Sequence, residues 1–358
     1  MAKNRSAKEP FHVIGVMSGT SLDGVDLAYC SFTSGYQRLE FRIHACETVP
    51  YADFWKERLI NLPSRDALTY AQTHVEYGHY LGRLVRSFIE RNKLHAGFVA
   101  SHGHTIFHQP GKGFTSQIGD GAALAAECGL PVICDFRSTD VAFGGQGAPL
   151  VPIGDELLFG DFDYCLNLGG FGNISFKKDG QRIAFDICPV NIILNRLAGM
   201  KGQAYDQNGN LAAGGKIIPG LLHELNNLPY YRQQPPKSLG REWLEKELLP
   251  LFSGAGVQTT DMLRTATEHI AMQISGCLPS AGGRMIITGG GAFNKFLISR
   301  ISDLCPVEII IPDEKIINYK EALIFALLGT LRMQKKPNCL PSVTGALKAA
   351  IGGAVYLP

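Results

Sequence analysis

Near its start the chain reads Gly15-Val16-Met17-Ser18-Gly19-Thr20-Ser21-Leu22-Asp23-Gly24-Val25-Asp26. Glycines let a turn close tightly and let backbone N–H groups approach a ligand, and Ser18, Thr20 and Ser21 add hydroxyl donors. A phosphate asks for such a ring of donors, and Asp23 and Asp26 could hold a hydrated magnesium ion beside it. The same string also suits a polar hairpin turned by Asp-Gly. It is not a Walker loop, because no Gly-Lys-Ser/Thr follows. A second glycine turn, Asn167-Leu168-Gly169-Gly170-Phe171-Gly172-Asn173, again follows a strand-like run. Alone it is an ordinary hairpin; two such turns, each entering a three-strand pattern, are harder to dismiss. A third glycine run, Gly289-Gly290-Gly291-Ala292-Phe293-Asn294, lies between a strand and a helix. It could lie flat against a base or ribose, or simply make a tight turn.

Other residues have chemistry to offer. Asp186, in Phe185-Asp186-Ile187-Cys188-Pro189-Val190-Asn191, ends an apolar strand. It could be a general base, and it is equally placed to cap the following helix. Arg137, in Asp135-Phe136-Arg137 with Asp140 and the loop Gly144 to Pro149, suits bidentate recognition of a carboxylate or phosphate, or an Arg–Asp pair bracing a hinge. Asn318-Tyr319-Lys320-Glu321 has the spacing of a capping box, though Glu321 could also reach a sugar hydroxyl. Ser101-His102-Gly103-His104-Thr105 with His108 has a metal-like spacing but no carboxylate-rich partner, so hydrogen-bonding loop histidines are the better reading than zinc.

These residues need elements to hold them. His12–Met17, Asp26–Phe32 and Glu40–Val49 read as a three-stranded meander. Asp66–Asn92 reads as a helix with Tyr77, Leu81, Leu84, Val85, Phe88 and Ile89 on its apolar face. Buried strands are expected at Gly97–Ser101 and Pro131–Asp135, with a helix at Gly121–Cys128 between them. The glycine- and proline-rich stretch from Gly144 to Pro152 is a candidate hinge. The plan then repeats: strands at Tyr164–Leu168, Asn173–Phe176 and Arg182–Asp186, a helix at Thr260–Leu278, a strand at Met285–Thr288, a helix at Phe293–Ile301, a strand at Val307–Ile311 and a helix at Lys320–Met333. The tail from Asn338 is expected to pack back on the first half.

A chain of 358 residues exceeds what one core usually supports, so two domains are expected. At 45% hydrophobic and 18% charged it is globular, and a net charge of +2 leaves no footprint for nucleic acid or an anionic membrane. Nine cysteines without a CxxC pair argue for reduced thiols rather than a disulfide framework or zinc ribbon. No signal-type or membrane-length apolar run is present, so a soluble, cytoplasmic protein is expected.

The motifs, taken in order, resemble those of the anhydro-N-acetylmuramic acid kinases. The match runs through Gly15 to Asp26, Ser101-His102-Gly103 with Thr105, Gln117-Ile118-Gly119-Asp120 and Asp135-Phe136-Arg137. It continues through Gly144-Gly145-Gln146-Gly147-Ala148-Pro149-Leu150-Val151-Pro152, Asn167 to Asn173, Gly289 to Gly291 with Asn294, Lys320-Glu321-Ala322 and Leu340 to Ala346. It covers nearly the whole chain. The resemblance implies an α/β, two-domain actin-like (ribonuclease H-like) ATPase fold, with mixed five-stranded sheets flanked by helices and a cleft between the domains. Domain I would be residues 1–142 plus 336–358, and domain II residues 143–335. It implies ATP and Mg2+, a homodimer, and hydrolysis and phosphorylation of 1,6-anhydro-N-acetylmuramic acid to N-acetylmuramic acid 6-phosphate in peptidoglycan recycling.

By position, Asp186 matches the catalytic aspartate. Gly15, Ser18, Gly19, Thr20, Ser21 and Asp23 would serve the first phosphate loop, and Gly169, Gly170 and Asn173 the second. Gly289, Gly290, Gly291 and Asn294 would lie near adenosine, Asp23 and Asp26 near the metal, and Arg137, Gly147, Ala148 and Glu321 at the sugar. The sequence departs from the family where Thr, Gly and Gly usually flank the catalytic Asp and Pro: Ile187, Cys188 and Val190 stand there, which implies altered substrate fit or rate. His104 stands where Gln is usual, and Asp155 where His is frequent. Competing expectations are a kinase of another anhydrosugar such as levoglucosan, and an actin-fold nucleotide-binding module that turns ATP over slowly.

Overall fold

The computed structural model describes residues 10–19, 22–34, 39–253 and 257–358. The chain divides into two compact units, Met1–Phe159 with Tyr319–Pro358, and Gly160–Asn318. The expected crossings lie at 142/143 and 335/336. In the structure the helix Pro152–Leu158 and most of the helix Glu314–Met333 belong to the first unit.

The first unit is built on strands β1 (Phe11–Ser18), β2 (Gly24–Ser34), β3 (Leu39–Pro50) and β4 (Phe98–Ser101), a separate hairpin of β5 (His104–Gln109) and β6 (Phe114–Ile118), and β7 (Val132–Cys134). The second unit carries β8 (Tyr164–Leu168), β9 (Phe171–Lys178), β10 (Gln181–Pro189), β11 (Arg284–Thr288) and β12 (Glu308–Ile310). The chain ends with β13 (Ala354–Tyr356), which returns to the first unit and pairs antiparallel with β7. The sheets run β13-β7-β4-β1-β2-β3 and β10-β9-β8-β11-β12. In each, three antiparallel strands precede two that lie parallel to the first. That is the ribonuclease H-like topology twice in one chain, the plan of the actin-like ATPases.

Local chemistry explains the elements. Asp66 starts the helix Ala67–Asn92 by accepting from Thr69 N, and Tyr77, Leu81, Val85 and Phe88 recur at helical spacing and are buried. In the second unit Leu263, Ala266, Ile270 and Ile274 do the same for the helix Thr259–Gly276. The hairpin of β5 and β6 was not expected; its polar histidine-rich first strand hides the alternation. The capping box at Asn318–Glu321 is corrected too. The helix Glu314–Met333 already includes Asn318, and Asp313 accepts from Ile316 N ahead of it.

Candidate active site

In the second unit the strands themselves assemble a polar row. Asn173 on β9 is the cross-strand partner of both Asn167 on β8 and Asp186 on β10, and Thr288 on β11 lies opposite Asn167. Direct partners project from the same face of a sheet. The row sits at the carboxyl ends of β8 and β11, the end at which open α/β sheets take ligands.

Asp186 is fixed from three directions. Its Oδ2 accepts from Leu239 N at 2.9 Å, its N–H donates to Lys237 O at 3.2 Å, and its carbonyl accepts from the Tyr230 hydroxyl at 2.7 Å. Oδ1 has no hydrogen-bond partner among the described residues. Burial raises the carboxyl above the ordinary aspartate range, with the Leu239 N–H opposing. Asp186 does not cap the next helix: Asn191–Gly199 follows Val190, which makes no side-chain cap bond. Tyr230, Lys237 and Leu239 were missed by sequence reasoning, since they lie far along the chain and two of the three act through main-chain groups, which carry no residue signature.

Two glycine runs meet this row. The carbonyls of Gly169 and Gly170 accept from the N–H groups of Val190, Asn191 and Ile192, and Asn191 Nδ2 donates to Leu168 O at 2.9 Å. Gly289 has φ 81°, and a Cβ there would lie 2.6 Å from Asn167 Oδ1; one on Gly291 would lie 2.6 Å from the Leu168 Cβ. Gly169, Gly170 and Gly289 to Gly291 are therefore gathered around Leu168, beside Asn173 and Asp186. Asn294 is not: it caps the helix Lys295–Leu304 by accepting from Leu297 N, which corrects its assignment to the nucleotide. Ile187, Cys188 and Val190 are buried in this unit's core. A bulge between Asp186 and Cys188 keeps the aspartate on the polar face while its neighbours turn inward.

In the first unit the equivalent row is Met17, Asp26 and Thr48. Thr48 Oγ1 donates to Asp26 Oδ1 at 2.6 Å. Burial raises the Asp26 carboxyl, Thr48 opposes, and the charge of Asp23 raises it further. Among the described residues no three or more His, Cys, Asp or Glu side chains are placed to hold a metal. Magnesium usually takes one or two carboxylates plus phosphate oxygens, so the Asp23–Asp26 pair fits it.

Two assignments in this loop need correction. Gly15 faces the helix Glu314–Met333: a Cβ would sit 1.9 Å from Ala322 O, so its role is close packing of helix on strand. The buried Ser18 hydroxyl bonds Tyr51 OH at 2.6 Å, His104 Nδ1 at 2.8 Å and Tyr77 OH at 3.0 Å, so it braces the loop from behind. Burial depresses His104 to about 4, and it stays neutral in this network. Gly19 O accepts from Leu22 N at 3.3 Å. Thr20 and Ser21 lie outside the described residues.

Arg137 is held by two acceptors. Its Nε and Nη2 reach His102 Nε2 at 3.1 and 2.9 Å, and Nη1 donates to Gly147 O at 2.6 Å. His102 Nδ1 lies 2.9 Å from Gly103 O, so Nδ1 carries the proton and Nε2 accepts. Burial and the arginine keep that imidazole neutral. Asp140 does not pair with Arg137, contrary to the hinge-brace expectation; it accepts from Gly147 N and Thr344 Oγ1, both at 2.8 Å. Ala148 follows with a cis bond to Pro149. Burial lowers Arg137 to about 10, with Glu321 opposing. Glu321 is exposed, and of the charges around it Asp26 raises its carboxyl while Arg137 and Lys320 lower it. Lys320 itself pairs with buried Asp155 at 2.7 Å.

A family model described as anhydro-N-acetylmuramic acid kinase matches residues 11–358. The chain belongs to that family. Similar proteins named anhydro-N-acetylmuramic acid kinase occur in Francisella tularensis subsp. novicida, 35% identical over 96% of this chain and 98% of that one, and in Pseudomonas fluorescens, 36% identical over 96% and 98%. The protein of that name from Coxiella burnetii is 36% identical over 96% of each chain. With family members aligned almost end to end, the polar rows of both units fall within the matched region. No helix among the described residues is long and apolar enough to cross a membrane.

Proposed function

We propose that the protein is an ATP-dependent kinase that opens the 1,6-anhydro ring of 1,6-anhydro-N-acetylmuramic acid and phosphorylates it, giving N-acetylmuramic acid 6-phosphate and ADP, a step in recycling cell-wall sugars. The observation that carries this reading is Asp186: a desolvated carboxylate oriented by Leu239 N–H, in a polar row flanked by two glycine runs. Asp186 takes a proton from a water that attacks the anomeric carbon. The C1–O bond of the bridge breaks, and the freed 6-oxygen attacks the γ-phosphorus while ADP leaves. Positioning and charge stabilisation supply most of the remaining rate.

Gly169 and Gly170, whose carbonyls are occupied by the helix start, present their N–H groups to phosphate, with Asn173 beside them. Gly289 to Gly291 accept the adenosine. Gly19, with Thr20 and Ser21, serves the other phosphate turn. Arg137, Gly147, Ala148 and Glu321 bind the sugar. Asp23 and Asp26 would hold Mg2+, which when bound offsets charge on the phosphate oxygens.

Mass analysis of the product formed in heavy-oxygen water tests the reaction. One heavy atom at the anomeric position is expected; an unlabelled phosphorylated product would overturn the coupled hydrolysis. A reducing cytoplasm is supported by nine cysteines, all free. A homodimer is the family's implication, and light scattering checks it.

A further inference from the structure

The segment Tyr230 to Leu239 that straps Asp186 has a second side. There, Lys237 lines a cavity of about 280 Å³ with Arg232, Asn226, Tyr231, Gln273 and Ile187. The Lys237 ammonium is half-buried, and burial lowers its pKa. Its contacts are Tyr230 O at 3.4 Å and the ring faces of Tyr230 at 4.6 Å and Phe185 at 5.8 Å. Among the described residues no carboxylate pairs with it, and no Asp or Glu lines the cavity. A half-buried cation without a counter-charge carries an uncompensated desolvation cost.

The other polar groups are mixed: Gln273 Oε1 and the oxygen of Tyr231, whose proton goes to His269 Nε2 at 3.0 Å, are acceptors, while Arg232 and Asn226 offer donors. Arg232 spends one N–H on Asn227 Oδ1 at 2.9 Å. Asn226 Oδ1 is already occupied by His269 Nδ1 and Gln273 Nε2, so its remaining capacity is the amide N–H2, which meets only the Met272 sulfur at 3.5 Å. The cavity thus sets two cations and an amide N–H2 against two neutral acceptors, and the charge favours a ligand that brings acceptors and negative charge.

We propose that this cavity binds a small oxyanion, carboxylate or phosphate, and that its occupancy reaches Asp186 through the strap. The link is short: Lys237 contributes its side chain to the cavity and its carbonyl to Asp186 N–H, and two residues on Leu239 N–H holds the carboxylate. The effect on turnover rests on Asp186 being the base; the binding does not.

Binding is therefore read without activity. Trp243 lies 5.3 Å from Tyr230 and 6.1 Å from Tyr231, and the chain's other tryptophan is Trp55. The full-length Trp55→Phe protein is titrated with inorganic phosphate, and separately with lactate, at constant ionic strength. A saturable fluorescence change is expected with one or both; the ion that saturates names the source. Lys237→Met and Arg232→Met should each weaken it about tenfold, the worth of one charge-assisted hydrogen bond, and Asp186→Asn should retain a saturable change, shifted by no more than the coupling itself. Arg232 is exposed, so its variant keeps the test valid if Lys237→Met fails to fold. No saturable change with either ion overturns the site, and so does a change indifferent to both variants or lost in Asp186→Asn. In the sugar-kinase assay, the saturating ion should shift the acid limb of the kcat–pH profile. Binding without that shift overturns the coupling alone.

Discussion

In the proposed reaction Asp186 would serve as a base through the same burial that makes its charge costly. Its pKa is raised in the folded chain relative to an ordinary 3.8. A group of this kind contributes stability below the unfolded value, and that contribution is lost as pH rises through the folded one. Asp186→Asn removes the titration. We expect the variant to melt higher than the parent at pH 7, with the gain vanishing below about pH 3.8, while sugar-dependent ADP release falls about a thousandfold and nucleotide binding survives. Calorimetry at both pH values with a coupled ADP assay checks this; an unchanged melting temperature at pH 7 would remove the desolvation argument. The sequence made this residue visible, because a carboxylate inside an apolar run is unusual, although β10 continues past it to Pro189 rather than ending there. It gave no sign of the Tyr230–Leu239 strap, which acts through two main-chain groups and one distant tyrosine hydroxyl. Ser18 was misread for a related reason. A small hydroxyl in a glycine loop looks the same facing ligand or core, and the partners that decide it, Tyr51 and Tyr77, are far along the chain.

Between elements, two contacts set how closely neighbours approach. Gly15 lets β1 lie against the helix Glu314–Met333, where an added Cβ would meet the backbone oxygen of Ala322 at 1.9 Å. Backbone cannot swing aside as a flexible side chain can, so Gly15→Ala should destabilise by about 3 kcal/mol or more in urea denaturation. A loss below about 1 kcal/mol would mean that the helix shifts freely. In the second unit Glu268 joins the helices Thr259–Gly276 and Lys295–Leu304, accepting from Arg264 at 2.9 Å and from Arg300 at 2.8 and 2.9 Å. The Arg300 hydrogen bonds hold its carboxyl below the ordinary 4.5. The sign is opposite to that of Asp186: stability is present above 4.5 and lost as pH falls through the lowered value. Glu268→Gln should therefore cost about 1–3 kcal/mol at pH 7, with the difference narrowing under strong acid. Denaturation at pH 7 and near pH 3 reads it. Most strands and helices were legible from alternation and helical spacing. The start of the helix Glu314–Met333 was not, because Asn318 and Glu321 imitate a capping box inside it.

At the scale of the molecule, one topology is used twice with different chemistry. The position of Asp186 on the third strand of its sheet is taken by Thr48 in the first unit, and that of Asn173 by Asp26. One unit thus carries a lone carboxylate suited to proton transfer, the other an acidic pair suited to a cation. The repetition was visible as two strand–glycine–strand runs, but the unit boundaries were not, since the glycine-rich stretch from Gly144 to Pro152 resembles a linker while packing within the first unit. The second unit, Gly160–Asn318, is a continuous segment with its own five-stranded sheet and its own core, from Leu166 and Ile174 on the strands to Leu263 and Ile270 on the long helix. A segment with a complete sheet and core has what independent folding requires. Residues 160–318 expressed alone should unfold cooperatively in urea, with a near-ultraviolet dichroism band from Trp243 where it packs on Tyr230 and Tyr231. A compact species with helical far-ultraviolet signal and no near-ultraviolet band would show that the core, and with it the strap on Asp186, depends on the rest of the chain.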